Sequence, residues 1–214
     1  MYLGKKIWKR LLKYSTELKG NVSDTKLQEQ VYKIVKPLGC RIEVVYGKLP
    51  KKVHFLIGGE YDPCLTKQPI TIFIHLNKIK QGIYFTENRL KAFLFSLSQT
   101  IQHELIHKIQ CESNRQFYTK EYYYTKGSAK FRFATMSYLA TMEEVDAYAH
   151  DLAMEICFHY NGNKGVLKNP DMYQQLTTWI LYRRAFRHAR WIDVRTQLLK
   201  KTYKWLPTVK EKFF

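Results

Sequence analysis

The hydrophobic period of this chain changes twice, and that constrains its fold more than any other feature. Over residues 2–18, Leu3, Ile7, Leu11, Tyr14 and Leu18 recur at three- and four-residue steps, which predicts an amphipathic helix. After Gly20-Asn21, Ser23 or Asp24 can cap a second helix carrying Leu27, Val31, Ile34 and Val35, which ends at Pro37-Leu38-Gly39. The pattern then becomes short, β-branched and aromatic. Residues 41–46, 53–57 and 70–76 read as strands separated by Gly, Pro and Asp turns, and Ile57-Gly58-Gly59-Glu60-Tyr61-Asp62-Pro63 reads as a glycine turn. From Thr86 the helical period returns, with Leu90, Phe93, Leu97, Ile101 and Leu105 on one face. A further helix is expected over residues 137–159, with Met142, Val145, Ala149, Leu152 and Ile156 buried. Asn161 to Gly165 break it, and a helical, aromatic, basic segment runs from about Met172 to Leu206. Helices around a small sheet make an α+β fold.

Charge divides the same chain differently. Residues 1–52 hold 13 Lys+Arg against 4 Asp+Glu, residues 164–214 hold 12 against 3, and the middle is neutral. Two basic ends suit a polyanion, whether nucleic acid, an acidic protein or a charged membrane face. In the C-terminal end, Arg183, Arg184, Arg187 and Arg190 alternate with aromatics, a composition that can hold phosphates and stack on bases, or pack its rings while the arginines reach solvent. No apolar run reaches the length of a membrane span, and the N-terminus does not read as a signal peptide. Cys40, Cys64, Cys111 and Cys157 form no CxxC pair and read as buried, reduced thiols. A cytoplasmic protein is expected.

The chemistry is concentrated in His103-Glu104-Leu105-Ile106-His107, inside the helix that Thr86 starts. Histidines four apart stand one turn above each other, so both imidazoles reach a single metal ion. Glu104, one residue round, faces the same groove and is placed to deprotonate the attacking water rather than to ligate. Chance alone would put this pattern in a chain of such composition about 1% of the time.

On this motif and its helix the chain resembles the zincin superfamily of zinc peptidases. Metzincins add a glycine and a third histidine at set steps, but Gln110 and Ser113 stand there. Gluzincins take a glutamate from a second helix, and the candidate segment is Met142-Glu143-Glu144-Val145-Asp146-Ala147. Glu144 sits nearer the buried stripe than Glu143, and Glu144-Val145-Asp146-Ala147 is similar to the Glu-x-x-Ala pattern of minimal gluzincins; Glu143 stays open as the alternative. The Glu-x-x-x-Asp of thermolysin-like enzymes is missing, so a supporting carboxylate would have to come from Asp146 or Asp151. DNA–protein crosslink proteases of the Spartan type take a third histidine instead, for which His150 is the candidate. The resemblance also implies an edge strand ahead of the metal helix, at Ile70–Leu76, able to pair with an extended peptide; an ordinary core strand is the other reading of the same residues. Tyr148 and Tyr138 are candidates to stabilise an oxyanion, and the run Tyr122–Tyr124 reads either as a lid or as an amphipathic loop.

The expected organisation is a basic helix over residues 1–23, a zincin-like domain over 24–160 and a basic helical segment over 161–214. The expected function is zinc-dependent hydrolysis of a peptide or protein. The rivals are a nucleic-acid-associated zinc protease and a catalytically silent zincin-fold structural or virion assembly protein. The Lys-, Tyr- and Ile-rich composition fits an AT-rich phage genome, which would make the protein virion-associated.

Overall fold

A computed structural model of the chain describes residues 4–50, 53–65, 67, 69–77, 82–113, 136–186 and 192–213. The architecture is mixed α+β, mostly helical with small sheets. It divides into two compact units, Met1–Ile109 and Gln110–Phe214.

In the first unit, helix α1 (Gly4–Ser15) buries Ile7 and Leu11 and leaves Leu12 and Lys13 outside. Helix α2 (Asp24–Val35) starts at Ser23, whose Oγ accepts from the Lys26 N–H at 3.3 Å. It buries Leu27, Val31, Ile34 and Val35, and the chain leaves past Pro37 through Gly39 at φ 76°, a left-handed conformation that a glycine adopts without strain.

Strands β2 (Cys40–Gly47), β3 (Phe55–Tyr61) and β4 (Ile70–Asn77) form a sheet ordered β2-β4-β3, with β2 parallel and β3 antiparallel to β4. This corrects two expectations. The strand at 70–76 is central, not an edge. Ile70, Ile72, Ile74 and Leu76 bury one face completely and Thr71 is buried on the other, where Phe73 and His75 are half-buried, whereas β2 and β3 are largely exposed or half-buried. The glycines 58 and 59 lie inside β3, and the turn begins only at Asp62, whose Oδ1 accepts from the Cys64 N–H at 2.8 Å. Strands β1 (Gly20–Val22) and β5 (Ile83–Phe85) pair as a small antiparallel ribbon.

Helix α3 (Glu87–Ser113) starts at Thr86, whose Oγ1 accepts from the Arg89 N–H at 3.3 Å. Leu90, Phe93, Leu97, Ile101 and Leu105 are buried in one core with α1, α2 and β4. Phe93 meets Phe55 and Phe85 edge-on at 5.1 and 5.2 Å, which ties α3 to β3 and β5.

The second unit is built on helix α4 (Met142–Tyr160), which Thr141 caps by accepting from the Glu144 N–H at 3.3 Å. Val145, Ala149, Leu152 and Ile156 are buried, but Met142, expected in the same stripe, is 58% exposed. It occupies the first helical position, and the buried stripe begins two residues further on, at Glu144 and Val145. Helices α5 (Thr177–Ala185) and α6 (Ile192–Phe213) complete the unit. Glu155 Oε1 accepts from the Thr178 N–H at 3.0 Å and from its hydroxyl at 2.7 Å, so a side chain of α4 caps α5. Asp146 Oδ1 accepts from Lys201 Nζ at 3.1 Å and from Trp205 Nε1 at 3.2 Å, which fixes α6 along α4. No helix among the described residues is long and apolar enough to cross a membrane. Tyr122–Tyr124 lie outside the described residues.

Candidate metal centre

The site starts from the spacing of α3. His103 and His107 are buried one turn apart, and their Nε2 atoms stand 3.0 Å from each other with the rings at 72°. Two nitrogens bound to one zinc at 2.0–2.1 Å with a tetrahedral angle are separated by roughly 3.3 Å. The pair is therefore nearly at ligating distance without rearrangement. Glu104 is buried beside them, under Gly59 of β3. Its carboxylate reaches electrostatically as far as Cys40. That thiol is pushed up to about 12, first by burial and next by Glu104, with Lys108 partly offsetting them. Cys40 consequently stays a neutral thiol and a poor ligand.

Glu144 enters from the first turn of α4. It is only 3% exposed, and the positive end of the helix dipole favours a carboxylate there. The last turn of α3 is joined to this turn by Gln110, whose Nε2 donates to the Glu143 carbonyl at 3.2 Å. One ligand atom each from His103, His107 and Glu144 lie within 4.8 Å of one another. Among the described residues no other group of three His, Cys, Asp or Glu side chains meets that condition. Two imidazoles and a carboxylate are a donor set that suits zinc, with a fourth position open.

The remaining candidates fall on distinct sides of α4. Glu143 is half-buried, outside this group, and holds Gln110 through its backbone. His150 is fully buried with its ring edge-on to Trp205 of α6 at 5.2 Å, and it too stands outside the group. Asp146 faces α6 as well, committed to Lys201 and Trp205. Asp151, two turns after Glu144 and buried, is the carboxylate on Glu144's own helix face. Tyr148, one turn after Glu144, is half-buried and meets Tyr182 edge-on at 5.3 Å. Tyr138 is 45% exposed.

Tyr182 itself was not singled out from the sequence as a site residue. It is fully buried, and its hydroxyl donates to the Leu139 carbonyl at 3.0 Å. Burial, then the charges of Glu144, Tyr148 and Asp151, push its phenol far above the usual range, so it remains a proton donor. The available signal was Trp179, Tyr182 and Phe186 at helical spacing, which marks a packed stripe. Arg183 and Arg184 project outward from that stripe while Tyr182 and Phe186 fill the core; Arg187 and Arg190 lie outside the described residues. Comparison with known proteins finds no protein-family model, no curated protein and no solved structure that matches this chain.

Proposed function

We propose that this chain is a zinc-dependent peptide hydrolase with a gluzincin-like site, in a zincin-like fold. His103, His107 and Glu144 would hold the metal, and Glu104 would be the general base. The observation that carries the reading is that His103 and His107, on the helix that also presents Glu104, and Glu144 of α4 offer ligand atoms within 4.8 Å of one another. The zinc, when bound, supplies Lewis acidity and makes water more acidic. Glu104 takes a proton from the attacking water and returns it to the leaving amine. Tyr148 stands on Glu144's side of α4 and would donate to the oxygen on which charge develops. Tyr182 braces that ring from behind. The substrate is a peptide or protein.

Replacing Glu104 by Gln keeps the shape and removes the proton acceptor. Hydrolysis of a peptide library is expected to fall by about 10²–10⁴-fold while zinc content and melting temperature stay near wild type. Equal cleavage by wild type and the Gln variant would refute the mechanism. Zinc binding without any cleavage would favour a silent structural protein.

We also propose a polyanionic partner, nucleic acid included, for the basic ends. Along α6, residues 194–210 carry five Lys or Arg and no Asp or Glu, with Lys200 and Lys204 exposed beside Tyr203.

A further inference from the structure

Gly58 and Gly59 are adjacent in β3 but differ in what surrounds them. A methyl group at 58 would meet nothing within 4 Å. At 59 it would stand 2.6 Å from Glu104 Cγ, 2.7 Å from Glu104 Oε1 and 2.8 Å from Thr100 Cγ2. Among the described residues the positive-φ glycines are Gly20, Gly39, Gly82 and Gly162, so position 59 needs glycine for space and not for backbone conformation. Phe55, Ile57 and Tyr61, which alternate with it along β3, pack on the core of the unit. Glu104 occupies the space that the missing side chain leaves in that row.

We infer that Gly59 is a positioning residue for Glu104: bare backbone of β3 forms the wall against which the carboxylate is set. The functional part of this inference rests on the reading of Glu104 as general base. A glycine inside a strand weakens the strand and often marks the close approach of another group, which position 59 shows and position 58 does not. Any β-carbon here would push on Glu104, the longer and more pliable of the two neighbours, because Thr100 is short and anchored one turn earlier on α3. Glu104 would yield by changing rotamer and carry its carboxylate away. His103 and His107, on the same helix, would be untouched. Gly59→Ala is therefore expected to behave as a displaced base and not as a lost metal site.

The test uses the full chain with Gly58→Ala, Gly59→Ala and Glu104→Ala, all in a Thr100→Ser background that removes the second contact. Zinc content, melting of the metal-free protein and steady-state cleavage of a peptide library are measured. Gly59→Ala should lower kcat by about 10²-fold or more, with KM and zinc stoichiometry unchanged, while Gly58→Ala matches its parent. Gly59→Ala should also lower the melting temperature by a few degrees when Glu104 is present and not when it is Ala, since side chains in contact are energetically coupled. An equal melting loss in both backgrounds, or a kcat that survives Gly59→Ala, overturns the inference. If the parent cleaves nothing, the hydrolase reading fails, and the melting cycle still decides whether Gly59 sets Glu104.

Discussion

Glu104 and Glu144 are both buried carboxylates, yet different forces hold them. Glu144 sits at a helix start, where Thr141 caps the turn and the dipole favours its charge, while Glu104 is mid-helix, wedged under Gly59. On the proposed reading, the purified protein is expected to hold about one zinc per chain by mass spectrometry. His103→Ala or His107→Ala should lose it, and Glu144→Ala should weaken it far more than Glu143→Ala. Equal and negligible losses for the two glutamates would move the third ligand to another residue. The cysteines offer a second check. Burial pushes Cys40 up to about 12 and Cys157 up to about 11, and Cys111 is buried too, whereas Cys64 is exposed. Near pH 8 iodoacetamide should modify Cys64 rapidly and the other three only on unfolding, as peptide mapping would reveal. The histidine pair was legible because i,i+4 spacing is local geometry. Gly59 was not, because its neighbours Thr100 and Glu104 are brought to it only by the packing of β3 on α3.

At the scale of elements, long periodic segments were readable and short ones were not. The starts of α2 and α3 stand at Ser23 and Thr86, as the capping signals require. β1 and β5 have three residues each, too few to express a period, and only their mutual pairing defines them. β4 is legible as a strand, and its nearly continuous apolar run fits the central place it holds rather than the edge place that the resemblance implies. The seating of α5 is a tertiary matter. Glu155 accepts two bonds from Thr178, which lies in a different helix. Glu155→Ala should destabilise the protein by roughly 1–3 kcal/mol for the buried donors it leaves open, measured by urea unfolding. A loss within a few tenths would mean that α5 is held by its apolar stripe alone.

For the molecule as a whole, the division between Ile109 and Gln110 falls inside α3, where neither composition nor turn residues change. A boundary of that kind is invisible to any reading that looks for linkers. It also changes how the basic C-terminal end can be tested. Leu198, Leu206 and Val209 are fully buried or nearly so, and α6 lies against α4, so deleting residues 164–214 would dismantle the second unit. Exposed charges are the better target. Replacing Arg183, Arg184, Lys200 and Lys204 by Ala removes four positive charges from solvent-facing positions. If these side chains contact phosphates, the slope of log affinity against log salt for single-stranded DNA should flatten by up to ~3; an unchanged slope would leave them to solubility alone.

The bare wall at position 59 also has a genetic meaning. Every amino acid other than glycine carries a β-carbon, so no missense change at that codon is conservative, however small the new residue. A saturation library scored for function should therefore find position 59 as intolerant as Glu104, while position 58, one codon earlier, accepts small residues. Scored for abundance in the cell, position 59 should tolerate far more, because Glu104 can give way and leave a folded protein behind.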